Sequence, residues 1–140
     1  LKKICVLVNE SIDPIKPSIK GDFSVFINEK WYSFRPIDKI DNNDPILDLD
    51  VTFLSSKIFD PILGIKDQRK DERIDFVGGI RGLKELKKRV NSGEMTVAFA
   101  LYPVSMDELL AVADAGEIMP PKSTWFEPKL RSGLFIHDLE

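Results

Sequence analysis

Cysteine and histidine are almost missing from this 140-residue chain, each occurring once, as Cys5 and His137. A single cysteine excludes an internal disulfide, and one of each excludes a Cys/His zinc site. Ser–His or Cys–His nucleophile chemistry within the chain could run only through His137. No apolar run approaches the roughly 20 residues of a membrane-spanning helix, and no signal peptide is visible. Neither sign of charge dominates: 20 Lys and Arg against 23 Asp and Glu leave a net charge of −3. Bulk electrostatics therefore favour neither nucleic acid nor an anionic membrane as a partner. The default location is cytoplasmic.

The remaining composition is that of an ordinary globular domain. Hydrophobic residues make up 43% and charged residues 31%, enough for one real core in one domain spanning residues 1–140. The chain opens on Leu1-Lys2-Lys3, without methionine, and is expected to be the C-terminal domain of a longer protein.

Residues 1–8 form a short apolar run, read either as a helix end or as a first strand. Residues 12–22 hold two prolines and a glycine and read as an extended connection. Residues 23–27 and 31–35 are aromatic and β-branched, and Asn28-Glu29-Lys30 between them predicts a hairpin. Val51, Leu54 and Ile58 have helical spacing, with Asp50 as the expected cap. Residues 73–77 read as a strand, and Gly78-Gly79 as the opening of a helix with Ile80, Leu83, Leu86 and Val90 as its buried stripe. Residues 95–102 are nearly all apolar and predict a central strand covered on both faces. Ser105 and Glu108 have capping-box spacing, so a helix is expected with Met106, Leu109, Leu110 and Ala113 inward and Gly116 as its stop. Residues 134–137 alternate as a last strand. The expected fold is α+β or α/β, a mixed sheet of about five strands with three helices packed on it, in the order ββαβαβαβ.

The stretch GEIMPPKSTWFEPKLRSGLFIHDLE concentrates constrained and chemically capable residues. Prolines fix φ and push their predecessors toward extended backbone, so Lys122 is launched from a stiff segment. A lysine beside two hydroxyls, Ser123 and Thr124, suits a phosphate or carboxylate, with Lys129 as a further cation. The plain alternative is a strap with core aromatics and solvated cations. A second anion candidate is Arg81 after Gly78-Gly79, where free amides and a helix dipole would assist; the alternative is a tight turn with Arg81 solvated. Asn9-Glu10-Ser11 is read as a chance match to the glycosylation triplet. Asp41 and Asn43 lack the spacing of a calcium loop and read as solvated. His137 and Cys5 read as an edge residue and a small core residue. Asp13, Asp60 and Asp75 are too scattered for an acid–base pair to be identified, and Lys84, Lys87 and Lys88 read as the wet face of their helix.

The closing segment also resembles the signature of a family of uncharacterised bacterial and archaeal proteins, domain of unknown function 1015. That signature runs Ala-Gly-Glu-x-Met-Pro-Pro/Gln-Lys-Ser-Thr, two aromatics, x-Pro-Lys and Gly-Leu. Gly116, Glu117, Met119, Pro120, Pro121, Lys122, Ser123, Thr124, Trp125, Phe126, Pro128, Lys129, Gly133 and Leu134 fit it. Trp125 stands where Tyr or Phe is commoner. The segments LDLDVTFLSSKIFDPILGI, RIDFVGG and VAFALYPVSMDELLAVADAGE are similar to the family as well, so the likeness runs from about Phe23 onward.

Family members are about three times as long, and their N-terminal part carries an Asp-Gly-His-His-Arg-Tyr motif similar to one in the ParB/sulfiredoxin-like superfamily, which includes free-serine kinases. The resemblance implies a small-molecule phosphoryl-transfer or phosphoserine-related protein, kinase-like, whose main catalytic residues lie outside this chain. It implies the N-terminal half of the same protein as a partner and a phosphorylated small molecule as ligand. It leaves any nucleotide to the longer protein and assigns no cofactor or metal to this chain. It also favours a ligand-facing role for Lys122, Ser123 and Thr124. The competing expectation is a non-catalytic structural or dimerisation module, using the aromatics of residues 31–34 or Trp125-Phe126 as an interface.

Overall fold

The computed structural model describes residues 3–37 and 44–123. Among these residues it is an α+β fold with one four-stranded sheet and three helices. The strands are β1 (Cys5–Ser11), β2 (Phe23–Ile27), β3 (Lys30–Pro36) and β4 (Ala98–Leu101), in the spatial order β1-β3-β2-β4. Among the described residues every pairing is antiparallel; the fifth strand of the expected mixed sheet lies outside them. The apolar start of the chain resolves as a strand, not a helix end.

β2 and β3 make the predicted hairpin, with a two-residue loop where three residues were expected. Asn28 and Glu29 both take positive φ, 51° and 61°, the signature of the primed turns whose twist matches that of the strands. Lys30 thereby enters the ladder opposite Ile27.

Alternation in β2 feeds two cores. Phe23 and Val25 face helix α1 (Asp50–Leu54) and the π-helical turn that continues it (Ser55–Phe59), where Phe53, Leu54, Ile58 and Phe59 close one cluster. Phe26 points the other way. It packs with Trp31, Ala98 and Ala100 beneath Leu83, Leu86 and Val90 of helix α2 (Gly82–Asn91). β4 is thus covered on both sides, as its apolar run predicts. Among the described residues, however, it ends the sheet and pairs only with β2.

Several expectations need correction. Residues 73–77 form no strand; within them Arg73 is engaged with Asp71 and Asp75 with Arg89. The order is therefore βββααβα among the described residues, not ββαβαβαβ, and the expected strand at 134–137 lies outside them. A 3-10 turn (Gly79–Arg81) precedes α2, so Ile80 falls before the helical stripe and is 71% exposed. Asp50 is not the cap of α1; Leu49 occupies that position without a side-chain bond.

Helix α3 (Met106–Asp114) has the predicted capping box: the Glu108 amide donates to Ser105 Oγ at 3.1 Å, and the Ser105 amide to Glu108 Oε2 at 2.8 Å. Gly116, at φ 70°, ends the helix in a Schellman arrangement, with the Glu117 amide reaching the Val112 carbonyl at 3.1 Å. Its inward residue is Val112, packed on Leu49 and Val51. Met106 and Leu110, expected inside, are exposed.

Candidate anion-binding groove

Pro120-Pro121-Lys122-Ser123 forms a turn. Pro121 supplies the fixed negative φ of its second position, and Lys122 holds φ 59° at the third. A side chain at positive φ costs on the order of 1 kcal/mol relative to relaxed backbone. The Ser123 hydroxyl stabilises the turn by donating to the Pro120 carbonyl at 2.8 Å. Lys122 is consequently exposed on a defined loop. The hydroxyl proton of Ser123 is committed to the turn.

Lys122 and Pro121 line an open groove of about 360 Å³, together with residues 68–72 and the apolar Ile74 and Phe76. This brings Arg69 and Lys70 to the same depression as Lys122. Lys70 has a long approach to Asp67 at 3.9 Å, and among the described residues no ion pair involves Arg69 or Lys122. The groove's carboxylates are Asp71 and Glu72. Asp71 is occupied by Arg73, which donates to both of its oxygens at 2.9 and 2.6 Å. That bidentate contact and the Arg73 amide hold the Asp71 carboxyl down at about 2. Arg73 is fixed in turn by the carbonyls of Leu63 and Gly64, at 3.2 and 3.0 Å. What remains is a cluster of cations with Glu72 as the opposing charge. Lys122 also contributes, behind Arg89 and the Phe76 amide, to holding the Asp75 carboxyl low.

Gln68 borders the groove as well. The Ser55 hydroxyl donates to the Val51 carbonyl at 2.6 Å, which leaves its oxygen only as an acceptor. Gln68 must therefore offer Nε2 to Ser55, and its Oε1 is a buried acceptor with no partner among the described residues.

The other sequence candidates lie elsewhere. Arg81 is exposed on the 3-10 turn before α2 and does not line the groove. Thr124 and Lys129 lie outside the described residues, as do Trp125, Phe126 and His137. Cys5 is buried in the α1-side cluster, and its thiol is pushed up by burial.

A second charged constellation was not legible in the sequence. Lys20 bonds both Asp48 and Glu108, the latter at 2.9 Å. The Gly21 amide donates to both carboxylate oxygens of Asp50 at 3.0 Å. Burial pushes the Asp50 carboxyl up to about 6; the Gly21 amide opposes that shift, and the neighbouring Glu108 charge adds to it. Beside it, Asp22 is buried and held by Arg35 through two bonds of 2.7 and 2.8 Å. Ser105-x-x-Glu108 is a visible pattern, but nothing in it signals the partner at Lys20. No group of three or more His, Cys, Asp or Glu side chains among the described residues is placed to hold a metal ion. No helix among them is long and apolar enough to cross a membrane.

No family model matches the chain, and neither the curated proteins nor the solved structures contain a match to it.

Proposed function

We propose that this chain is the C-terminal domain of a longer cytoplasmic enzyme of small-molecule phosphoryl transfer, kinase-like and acting on an amino acid such as serine. Its part is to hold an anionic group while the N-terminal half supplies the reacting residues. One observation carries this reading: Lys122, on a turn held by two prolines, shares a groove with Arg69 and Lys70, and no ion pair involves Lys122 or Arg69 among the described residues. Phosphoryl transfer asks a protein mainly for positioning and for stabilisation of phosphate charge, which such a cluster supplies. The resemblance of the closing signature to the family described above supports the substrate class. Thr124 and Lys129, with a fifth strand over residues 134–137, complete the loop in this reading, and Arg81 is a separate, weaker anion contact.

The test is thermal shift with phosphate, O-phosphoserine, serine, ADP and ATP, on this chain and on the longer protein. Phosphate and O-phosphoserine are expected to raise the melting temperature and serine is not. Lys122→Ala abolishes the shift. Lys122→Gly, which suits the positive φ, abolishes it without disturbing the turn. A Lys122→Gly protein that binds like the parent overturns the role of Lys122, and no shift in either protein overturns the anion-binding reading.

A second reading, a structural or dimerisation module, is favoured by a different observation. Trp31, expected at an interface, is wholly buried, but β1 presents apolar side chains to solvent.

A further inference from the structure

β1 breaks the usual rules for a strand at a sheet edge. Such strands are normally short, charged or interrupted by proline, because their free amides and carbonyls invite another strand. β1 is seven residues long, contains no proline, and carries one charge, Glu10. Its middle is apolar and exposed on both faces: Val6 is 55% exposed, Leu7 49% and Val8 49%. Ile12 continues the exposed patch just beyond. One edge is occupied by β3. The Ile37 amide donates to the Ile4 carbonyl at 3.0 Å. Alternation along the strand then turns the backbone groups of Cys5 and Leu7 to the outer edge, which has no strand partner among the described residues.

We infer that this edge pairs with β1 of a second copy of the chain, antiparallel about a two-fold axis at Leu7. The inference deepens the dimerisation reading and is independent of the groove. Self-pairing must match outward-facing groups with outward-facing groups, and centring on Leu7 does so. Leu7 then opposes Leu7 of the second copy, and Val6 opposes Val8, so the exposed apolar side chains cover one another. Charge is complementary in the same alignment. Lys3 lies just before the strand and Glu10 near its end, so antiparallel pairing brings the Lys3 end of each strand to the Glu10 end of the other. A parallel arrangement would instead set Glu10 beside Glu10. The contact is isologous and closed, joining the sheets of the two copies into one. The irregular register between Leu7 and Asn9 falls beside the axis and shortens the ladder to the pairs around Leu7, which suits a modest affinity.

Sedimentation velocity over a wide concentration range tests this, on this chain and on the longer protein. A concentration-dependent dimer is expected. Leu7→Lys on the exposed strand is expected to make it monomeric, with an unchanged circular dichroism spectrum as the check on folding. Lys3→Glu or Glu10→Lys alone is expected to weaken the dimer several-fold, and the double exchange to restore it. A monomer at every concentration overturns both this inference and the dimerisation reading. A dimer indifferent to Leu7→Lys overturns the β1 assignment but leaves a dimerisation role elsewhere.

Discussion

Two charged regions of this molecule stand in contrast. At the entry to β2, every charge has a fixed answer: Asp22 has Arg35, Lys20 has Asp48 and Glu108, and Asp50 has the Gly21 amide. At the groove, Lys122 and Arg69 have no such answer among the described residues, and the adjacent Asp71 is neutralised by Arg73. Both regions are rich in ionisable groups, so counting them would not distinguish their roles. The first spends its charge on internal contacts that fix loop to helix. The second keeps its charge available at an open surface. A cation without an ion pair beside apolar side chains is what an anionic ligand needs, whereas a fully paired network has little left to offer one.

The contrast breaks first at Asp22 and Arg35. Arg35→Ala strands a buried carboxylate and should give the largest loss of stability among these variants in urea unfolding. Arg35→Lys keeps the charge but loses the fork, and should fall between the two. An Arg35→Ala protein as stable as the parent would show that the pair is not structural.

Asp50 sharpens the contrast through pH. Its carboxyl titrates at about 6 in the folded chain against an ordinary 3.8. Between those values the folded state holds the extra proton, so this group's contribution to stability falls as pH rises through the window, and the loss is complete above it. Glu108 acts in the opposite sense. Burial raises its carboxyl, but the Ser105 amide and Lys20 outweigh that and hold it low, so its contribution is lost as pH falls. Asp50→Asn keeps an acceptor for the Gly21 amide and removes the Asp50 slope. The variant should be about 1 kcal/mol more stable than the parent near neutral pH, after allowance for solvent screening, with little difference near pH 4. Paired urea melts at the two pH values check this; equal slopes would contradict it.

The smallest effect belongs to Arg81. It lies outside the groove, so Arg81→Ala should change stability by less than about 0.5 kcal/mol and leave the phosphate-induced thermal shift intact. Loss of that shift would move the anion site to the turn before α2.

Local signals in the sequence were the readable ones. The hairpin, the capping box, the glycine stop at Gly116 and the two-sided burial of β4 each follow from residues close together in the chain. The failures have physical causes. Residues 73–77 alternate like a strand, but alternation does not supply a neighbouring strand, and the segment joins no ladder. Ile80 has helical spacing, but Gly82, at φ 67°, resets the backbone after the 3-10 turn and takes Ile80 out of the stripe. Met106 and Leu110 look inward-facing by type, yet only the Val112 side of α3 meets Leu49 and Val51. At the groove, Lys122 was legible from its prolines. Arg69 and Lys70 were not, because their relation to Lys122 exists only once the chain has folded back.

Glu108 has a dual attachment whose consequence is kinetic. It closes the cap of α3 and at the same time grips Lys20, far earlier in the chain. Contacts between such distant segments carry a large loop-closure cost and are recovered late, after the nearby hairpin has formed. The clasp, like the β2–β4 pairing of similar separation, is expected to form after the local hairpin. Weakening it should speed unfolding and leave the refolding rate nearly unchanged, making the Lys20–Glu108 contact a latch on the lifetime of the native state rather than a guide to reaching it.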